Sequence, residues 1–262
     1  MGFAAPQHVE GQPRAGLPFG LFSVLSLRGS EDPHWANGIE WEAMTCAPVT
    51  ALADPDCETP VELHFDDTAA IGAAEPFVVY GSAKCGTPGG RPDLDGEERA
   101  TAHLLAREEA QAEALLWGRS LAPVATDVGP TTALPPEKAL AVLEGWLGAV
   151  YGSLGVVHGS RTAASLLGSD AGVQSSGSRL LTRLGTPVVA GAGYPGSGPG
   201  GTPAADGEEW LFASPSLFGY RGSVFTTTTL DTRNNDHYAL AGRQYAIGFD
   251  PCGVAAVRMT TV

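Results

Sequence analysis

Val61, Leu63 and Phe65 alternate with Glu62, His64 and Asp66, so the chain from Val61 predicts a strand with one buried and one wet face. The β-branched and aromatic run "FVVY" at 77–80 predicts a second, and residues 61–80 read together as a long open hairpin or lobe. "GSAKCGTPGGRPDLDG" then ends it as a flexible segment. The pattern changes at 97–117, where Ala, Leu, Glu and Arg crowd together without a proline. That stretch predicts one helix of about 30 Å, at roughly 1.5 Å per residue. Gly118 supplies its stop, and Asp93, Asp95, Glu97 and Glu98 lie at the positive end of its dipole.

Residues 119–134 carry Pro and Gly, and Pro135 and Pro136 then stand where the first turn of a helix tolerates them. Leu140, Leu143, Leu147 and Val150 follow at steps of three and four with Trp146 beside them, predicting a second helix with one buried face, ended by Gly152 and Gly155. "GVVH" predicts a short strand and "SRTAASLLG" a brief helix. Strands are predicted at 180–184 and 187–190 on either side of Gly185, and again in "EWLFAS" and "RGSVFTTTT". Tyr245, Ile247 and Phe249 alternate, "DPCG" supplies a turn and "VAAVRMTTV" returns, which predicts a terminal hairpin. Upstream, residues 1–19 are rich in Gly, Pro and Gln with no apolar period and read as an extended arm that needs a partner to order it. The apolar 19–27, and "HWANGIEWE" with Trp35, Ile39 and Trp41 around a glycine turn, predict two short extended pieces.

Composition narrows the class. With 43% apolar and 17% charged residues over 262 positions the chain is globular, while 35 Gly and 20 Pro imply many turns and long connections. Twenty-nine acidic against fifteen basic residues give a net charge of −14, a field that repels phosphate and anionic lipid, which disfavours duplex binding. The longest candidate membrane stretch, 140–157, is broken by Glu144 and four glycines, so a soluble chain is expected. The N-terminus lacks the order of a secretory signal. Cys46, Cys57, Cys85 and Cys252 never approach a Cys-x-x-Cys spacing. They read first as reduced, partly buried thiols, then as a disulfide formed after release from a reducing cytoplasm, and last as metal ligands.

Each search for catalytic chemistry returns a structural reading. Ser197 in "YPGSGPG" has Pro195 where a nucleophile elbow needs glycine. His64 and Asp66 share a strand face without a second histidine at a supporting spacing, which reads as a solvated polar face. His158, at the end of "GVVH", reads as a hydrogen-bonded structural histidine rather than a general base. Glu108, Glu109 and Glu113 lack a Glu-x-x-His companion and read as the solvent or partner face of the long helix. Gly198, Gly200 and Gly201 form a glycine loop without the Gly-Lys-Ser/Thr of a phosphate site. No catalytic, cofactor or metal residue is assigned, and no enzyme activity is expected.

Taken in order, the arm, the lobe, the acidic-to-Ala-rich helix, the central helix with mixed sheet and the final strands resemble a tailed-bacteriophage major capsid protein. "AREEAQAEALLWG" is similar to the spine helix of phage capsid proteins and encapsulin shells, and "EKALAVLEGWLGAVYGSLGVVHGSRTAASLL" to the helix, strand and second helix of the axial domain. The resemblance implies an α+β fold of the Hong Kong phage capsid type. Its parts would be an N-terminal arm at 1–55, an extended loop at 56–95, a peripheral domain at 96–131 and 226–262, and an axial domain at 132–225. It further implies a homo-oligomer of hexamers and pentamers that closes an icosahedral shell around double-stranded DNA without reading its sequence. Assembly would occur in the host bacterial cytoplasm, with scaffold, portal or decoration proteins as candidate partners and any scaffold a separate protein or a removed prepiece. No cofactor and no membrane are implied. The alternatives are an encapsulin-like nanocompartment and, from another class, a hydrolase or binding module with a loop-borne site.

Some capsids of this family join a lobe lysine to an asparagine of a neighbouring subunit. Lys84, one of two lysines, and Asn234 or Asn235 are the residues such a bond would use here. A solvated or salt-bridged Lys84 is the preferred reading, and a disulfide from Cys85 to Cys46, Cys57 or a neighbour ranks above the isopeptide. The expectation is a shell held by noncovalent contacts, with disulfides as an option.

Overall fold

The computed structural model describes residues 16–28, 33–43, 46, 70–86, 96–234 and 236–261. The predicted strand at 61–66, with His64 and Asp66, lies outside the described residues, as do most of the predicted arm and Cys57. Strands β1 (Ser26–Arg28), β2 (Ile39–Ala43), β3 (Ala70–Ala74) and β4 (Pro76–Gly86) precede the long helix α1 (Gly96–Leu116). A π-helical turn at Trp117–Leu121 continues α1, and β5 (Ala125–Asp127) follows it. Next come α2 (Pro136–Trp146), also closing in a π turn, β6 (Val156–Ser160), α3 (Arg161–Leu166), β7 (Val173–Ser176), β8 (Arg179–Thr182) and β9 (Pro187–Gly191). The last strands are β10 (Glu208–Ser214), β11 (Leu217–Arg221), β12 (Phe225–Asp231), β13 (Asp236–Phe249) and β14 (Val254–Thr260).

These strands make two large sheets and one small one. The five-stranded sheet runs β1, β11, β13, β12, with β4 on the other side of β13. The seven-stranded sheet runs β5, β14, β10, β6, β9, β8, β7, and β2 pairs with β3 alone. In β10, Leu211 and Phe212 are both fully buried because the seven-stranded sheet is covered on both faces. Leu211 packs with Leu140, Leu143 and Leu147 under α2, while Phe212 packs with Trp117 and Leu104 on the side of α1.

Two predictions change, the first being the helix stop: the chain does not leave α1 at Gly118 but runs on through the turn at Trp117–Leu121. The terminal pair is not a hairpin: β13 pairs with β4, β11 and β12, whereas β14 pairs antiparallel with β10 and parallel with β5. Both edges of β13 are already occupied, so the returning strand has no free ladder there and the Asp250–Gly253 turn carries it into the other sheet. The true hairpin of β13 is with β12, in register from Phe225 opposite Gly242 to Asp231 opposite Asp236. Consequently 254–260 runs in the same sheet as 156–160 and 208–214, and 217–221 runs in the sheet of 225–231.

Helix α1 lies unusually near the backbone of both sheets' strands and loops. A Cβ on Gly81 of β4 would sit 2.4 Å from the Leu104 nitrogen, and one on Gly193, just after β9, 1.7 Å from the Ala110 carbonyl oxygen. Gly193→Ala should therefore cost about 2–3 kcal/mol, since the obstacle is backbone that cannot rotate away. At Gly118 a Cβ meets nothing within 4 Å, so Gly118→Ala should leave stability within about 0.5 kcal/mol or raise it. Chemical denaturation of the two variants checks this; equal effects would place α1 elsewhere.

Candidate functional site

The glutamates that the sequence singled out on α1 lie at a seam where the chain at 18–22 meets the helix. The helix buries a row at four-residue steps, Ala100, Leu104, Glu108, Ala112 and Leu116, so its geometry carries a carboxylate inward between apolar neighbours. Glu108 is 4% and Glu113 0% exposed, which corrects the reading of these glutamates as a solvent or partner face. The physical reason is that each finds hydrogen-bond donors inside the fold, which offset part of the desolvation.

Glu108 accepts from Arg243 Nη1 at 2.7 Å, from Arg221 Nη2 at 3.2 Å and from the Tyr245 hydroxyl. Arg221 and Tyr245 face each other across β11 and β13, and Arg243 lies two residues before Tyr245 on the same face, so sheet register assembles the cluster. Phe22 and Phe77 stack on the Tyr245 ring with centroids 5.8 and 5.5 Å away. Burial and then the Glu108 hydrogen bond push the Tyr245 phenol far above its ordinary range, keeping it a donor.

Glu113 and Glu109 hold the incoming chain. Leu21 N–H donates to Glu113 Oε1 at 3.0 Å, Gly193 N–H to its Oε2 at 2.7 Å, and Phe22 N–H to Glu109 Oε1 at 2.7 Å. On the other side, Ala190 N–H donates to the Phe19 carbonyl at 2.8 Å, Arg161 Nη1 to the Pro18 carbonyl at 3.0 Å and Arg179 Nε to the Ser23 carbonyl at 2.9 Å. Phe19 adopts φ +68°, and Leu21 is fully buried. Burial pushes the Glu113 carboxyl up to about 6 against the opposing pull of the Gly193 and Leu21 amides. Burial raises Glu109 as well, opposed by the Phe22 amide. The described end of the predicted arm thus has partners within its own subunit.

His158 is fully buried, with Nδ1 2.9 Å from the Tyr194 hydroxyl and Nε2 2.9 Å from Ser214 Oγ. Ser214 Oγ donates to the Pro215 carbonyl, so it accepts from His158 Nε2–H, and Nδ1 is left to accept from Tyr194. Burial pushes the imidazole down to about 3. A neutral ring with both nitrogens engaged matches the structural reading of His158.

The remaining candidates are likewise engaged internally. Ser197 Oγ and its carbonyl accept from Trp117 Nε1 at 3.2 and 2.9 Å. The Gly198, Gly200 and Gly201 amides donate to the carbonyls of Thr202, Ala122 and Gly198, leaving none of the three to cradle a phosphate. Lys84 Nζ lies 2.7 Å from Asp236 Oδ2 and over the Tyr238 ring, the salt-bridged state preferred above, and Asn234 donates to Asp231. Asn235 and the Cys85 side chain lie outside the described residues. Cys46 and Cys252 are joined as a disulfide, which corrects their reading as reduced thiols. Their Cα atoms are 5.1 Å apart, a separation set by the packing of β2 against the Asp250–Gly253 turn. Among the described residues, no three His, Cys, Asp or Glu side chains stand close enough to share a metal ion, and no helix is long and apolar enough to cross a membrane. Sequence found His158 and the glutamates but missed Arg221, Arg243 and the amides of Leu21 and Phe22; the four-residue row through Glu108 was the available signal.

Comparison with known proteins gives a fold. No family model matches the chain, and no curated protein matches it in sequence. Among solved structures, the capsid of a native GTA particle is similar over 98% of this chain and 95% of its own, at TM-score 0.62 and 12% identity. The Microbacterium phage Oxtober96 structure covers 97% and 95% at TM-score 0.58 and 11% identity. The holo-SrpI encapsulin complex of Synechococcus elongatus covers 99% and 92% at TM-score 0.54 and 12% identity.

Proposed function

We propose that this chain, which has the α+β capsid fold of the Hong Kong phage type, is a major capsid protein that assembles into a closed shell around double-stranded DNA. The observation that supports the reading is end-to-end similarity: solved capsid structures are similar over 97–98% of this chain and 95% of their own. The role is structural, and the buried polar groups of the described region serve folding rather than turnover. A net charge of −14 suits the role, since an acidic wall repels packaged phosphate and lets DNA move. Subunits form pentamers and hexamers, and assembly takes place in the host bacterial cytoplasm, with scaffold, portal or decoration proteins as further partners. The division into an arm at 1–55, an extended loop at 56–95, a peripheral domain at 96–131 and 226–262 and an axial domain at 132–225 belongs to this proposal.

Electron microscopy and light scattering of purified protein test it. Closed particles, or pentamers and hexamers that close at higher concentration, are expected; a stable monomer at every concentration overturns the reading. Particles purified from cells whose lumen holds a protein cargo and no nucleic acid would move the assignment to an encapsulin, whose fold is also similar at full length.

A further inference from the structure

The Asp250–Gly253 turn is one of the places where the chain leaves the five-stranded sheet for the seven-stranded one. The small β2–β3 sheet is fastened there. Trp41 of β2 packs against Gly248, where a Cβ would come within 2.4 Å of the ring, and its indole N–H donates to Asp250 Oδ1 at 2.9 Å. Its ring also meets Phe218 edge-on at 4.7 Å. Three residues beyond β2, Cys46 is bonded to Cys252 in that same turn, closing a loop of 206 residues. Both cysteines are partly exposed, so thiol reagents reach them.

We propose that Cys46 and Cys252 form a redox-set latch that fixes the β2–β3 hairpin to the crossover between the two sheets. A two-stranded sheet is marginally stable by itself, so without the bond β2 and β3 rely on side-chain packing against β13, including Ala74 on Gly248, and on hydrogen bonds such as that of the Trp41 indole. Reduced, the hairpin opens readily; oxidised, it is clamped. In closing, the two thiols give up two protons and two electrons to a disulfide oxidant such as oxidised glutathione. One S–S bond forms in the protein while the oxidant's S–S bond breaks into two thiols. A thiol reductant reverses the exchange. The latch lies within one chain and does not depend on the shell reading.

The test uses the purified full chain equilibrated with oxidised glutathione or with dithiothreitol. Mass spectrometry of the digested oxidised protein should show a Cys46–Cys252 linked peptide, with neither residue labelled by maleimide; after reduction both label. Hydrogen exchange of the β2 and β3 amides should quicken by about tenfold or more on reduction while α1 is unchanged, because opening no longer works against a covalent closure. Cys252→Ser should exchange at the fast rate under both conditions, and the Cys57→Ser/Cys85→Ser double variant should keep the redox dependence. Should Cys252→Ser fail to fold, reduced and alkylated wild-type protein provides the same comparison. Absence of the linked peptide, or equal β2–β3 exchange in both redox states, overturns the latch.

Discussion

Glu108→Ala is expected to destabilise the subunit by about 3–5 kcal/mol, the cost of leaving buried cations without their counter-charge. Two guanidiniums share this carboxylate, and Arg243, with a side chain only 14% exposed, bears most of the loss. Arg221 is 34% exposed and keeps some hydration, which holds the total toward the lower end of that range. Tyr245 loses its acceptor in the same step. Tyr245→Phe, removing only one hydroxyl, should cost about 1 kcal/mol. Replacing the whole cluster, as Glu108→Leu with Arg221→Leu and Arg243→Met, should recover most of the loss, since apolar groups of similar volume replace a buried ion network at little cost. Urea denaturation reads all three; a Glu108→Ala effect below about 1 kcal/mol would mean that the network does not form.

Acidification should weaken the fold through His158 by about 1.4 kcal/mol per pH unit, summing to roughly 5 kcal/mol by pH 3. The unfolded chain binds a proton on this imidazole near its ordinary 6.5, while the buried native ring refuses it until about 3. Stability is therefore intact above 6.5 and lost as pH falls through that window. Glu113 works in the opposite direction: its carboxyl is raised to about 6, so ionisation costs stability above that value and the cost disappears as pH falls toward 4.5. Wild type alone would show the two partly cancelled between 6 and 4.5. His158→Gln separates them, because a glutamine amide can donate to Ser214 and accept from Tyr194 without titrating. The stability difference between wild type and His158→Gln should change by about 1.4 kcal/mol per unit from pH 6.5 downward. A difference independent of pH would show that His158 titrates normally in the native protein.

Helices and strand stretches were legible because each is a local pattern. The Pro-free 97–117 and the three-and-four steps from Leu140 placed α1 and α2 within a residue or two, as did the apolar runs for β6, β9 and β10. Pairing was not local. "DPCG" supplies a sound turn, yet β14 joins a different sheet because β13 has no open edge, and nothing in residues 245–260 encodes that occupancy. Burial of Glu108 was similarly hidden, since a glutamate on a helix is ordinarily wet and its donors come from 113 and 135 residues away.

The sequence by itself determined the α+β texture, the long helix and the acidic charge, because period, propensity and charge are properties of neighbouring residues. Tertiary structure alone decided which edge each strand joins, that the carboxylates of α1 turn inward to hold the chain at 20–22, and that Cys46 meets Cys252. Those outcomes depend on which groups distant in the chain arrive at the same place, and burial gives a carboxylate or a thiol its role only once its partners are there.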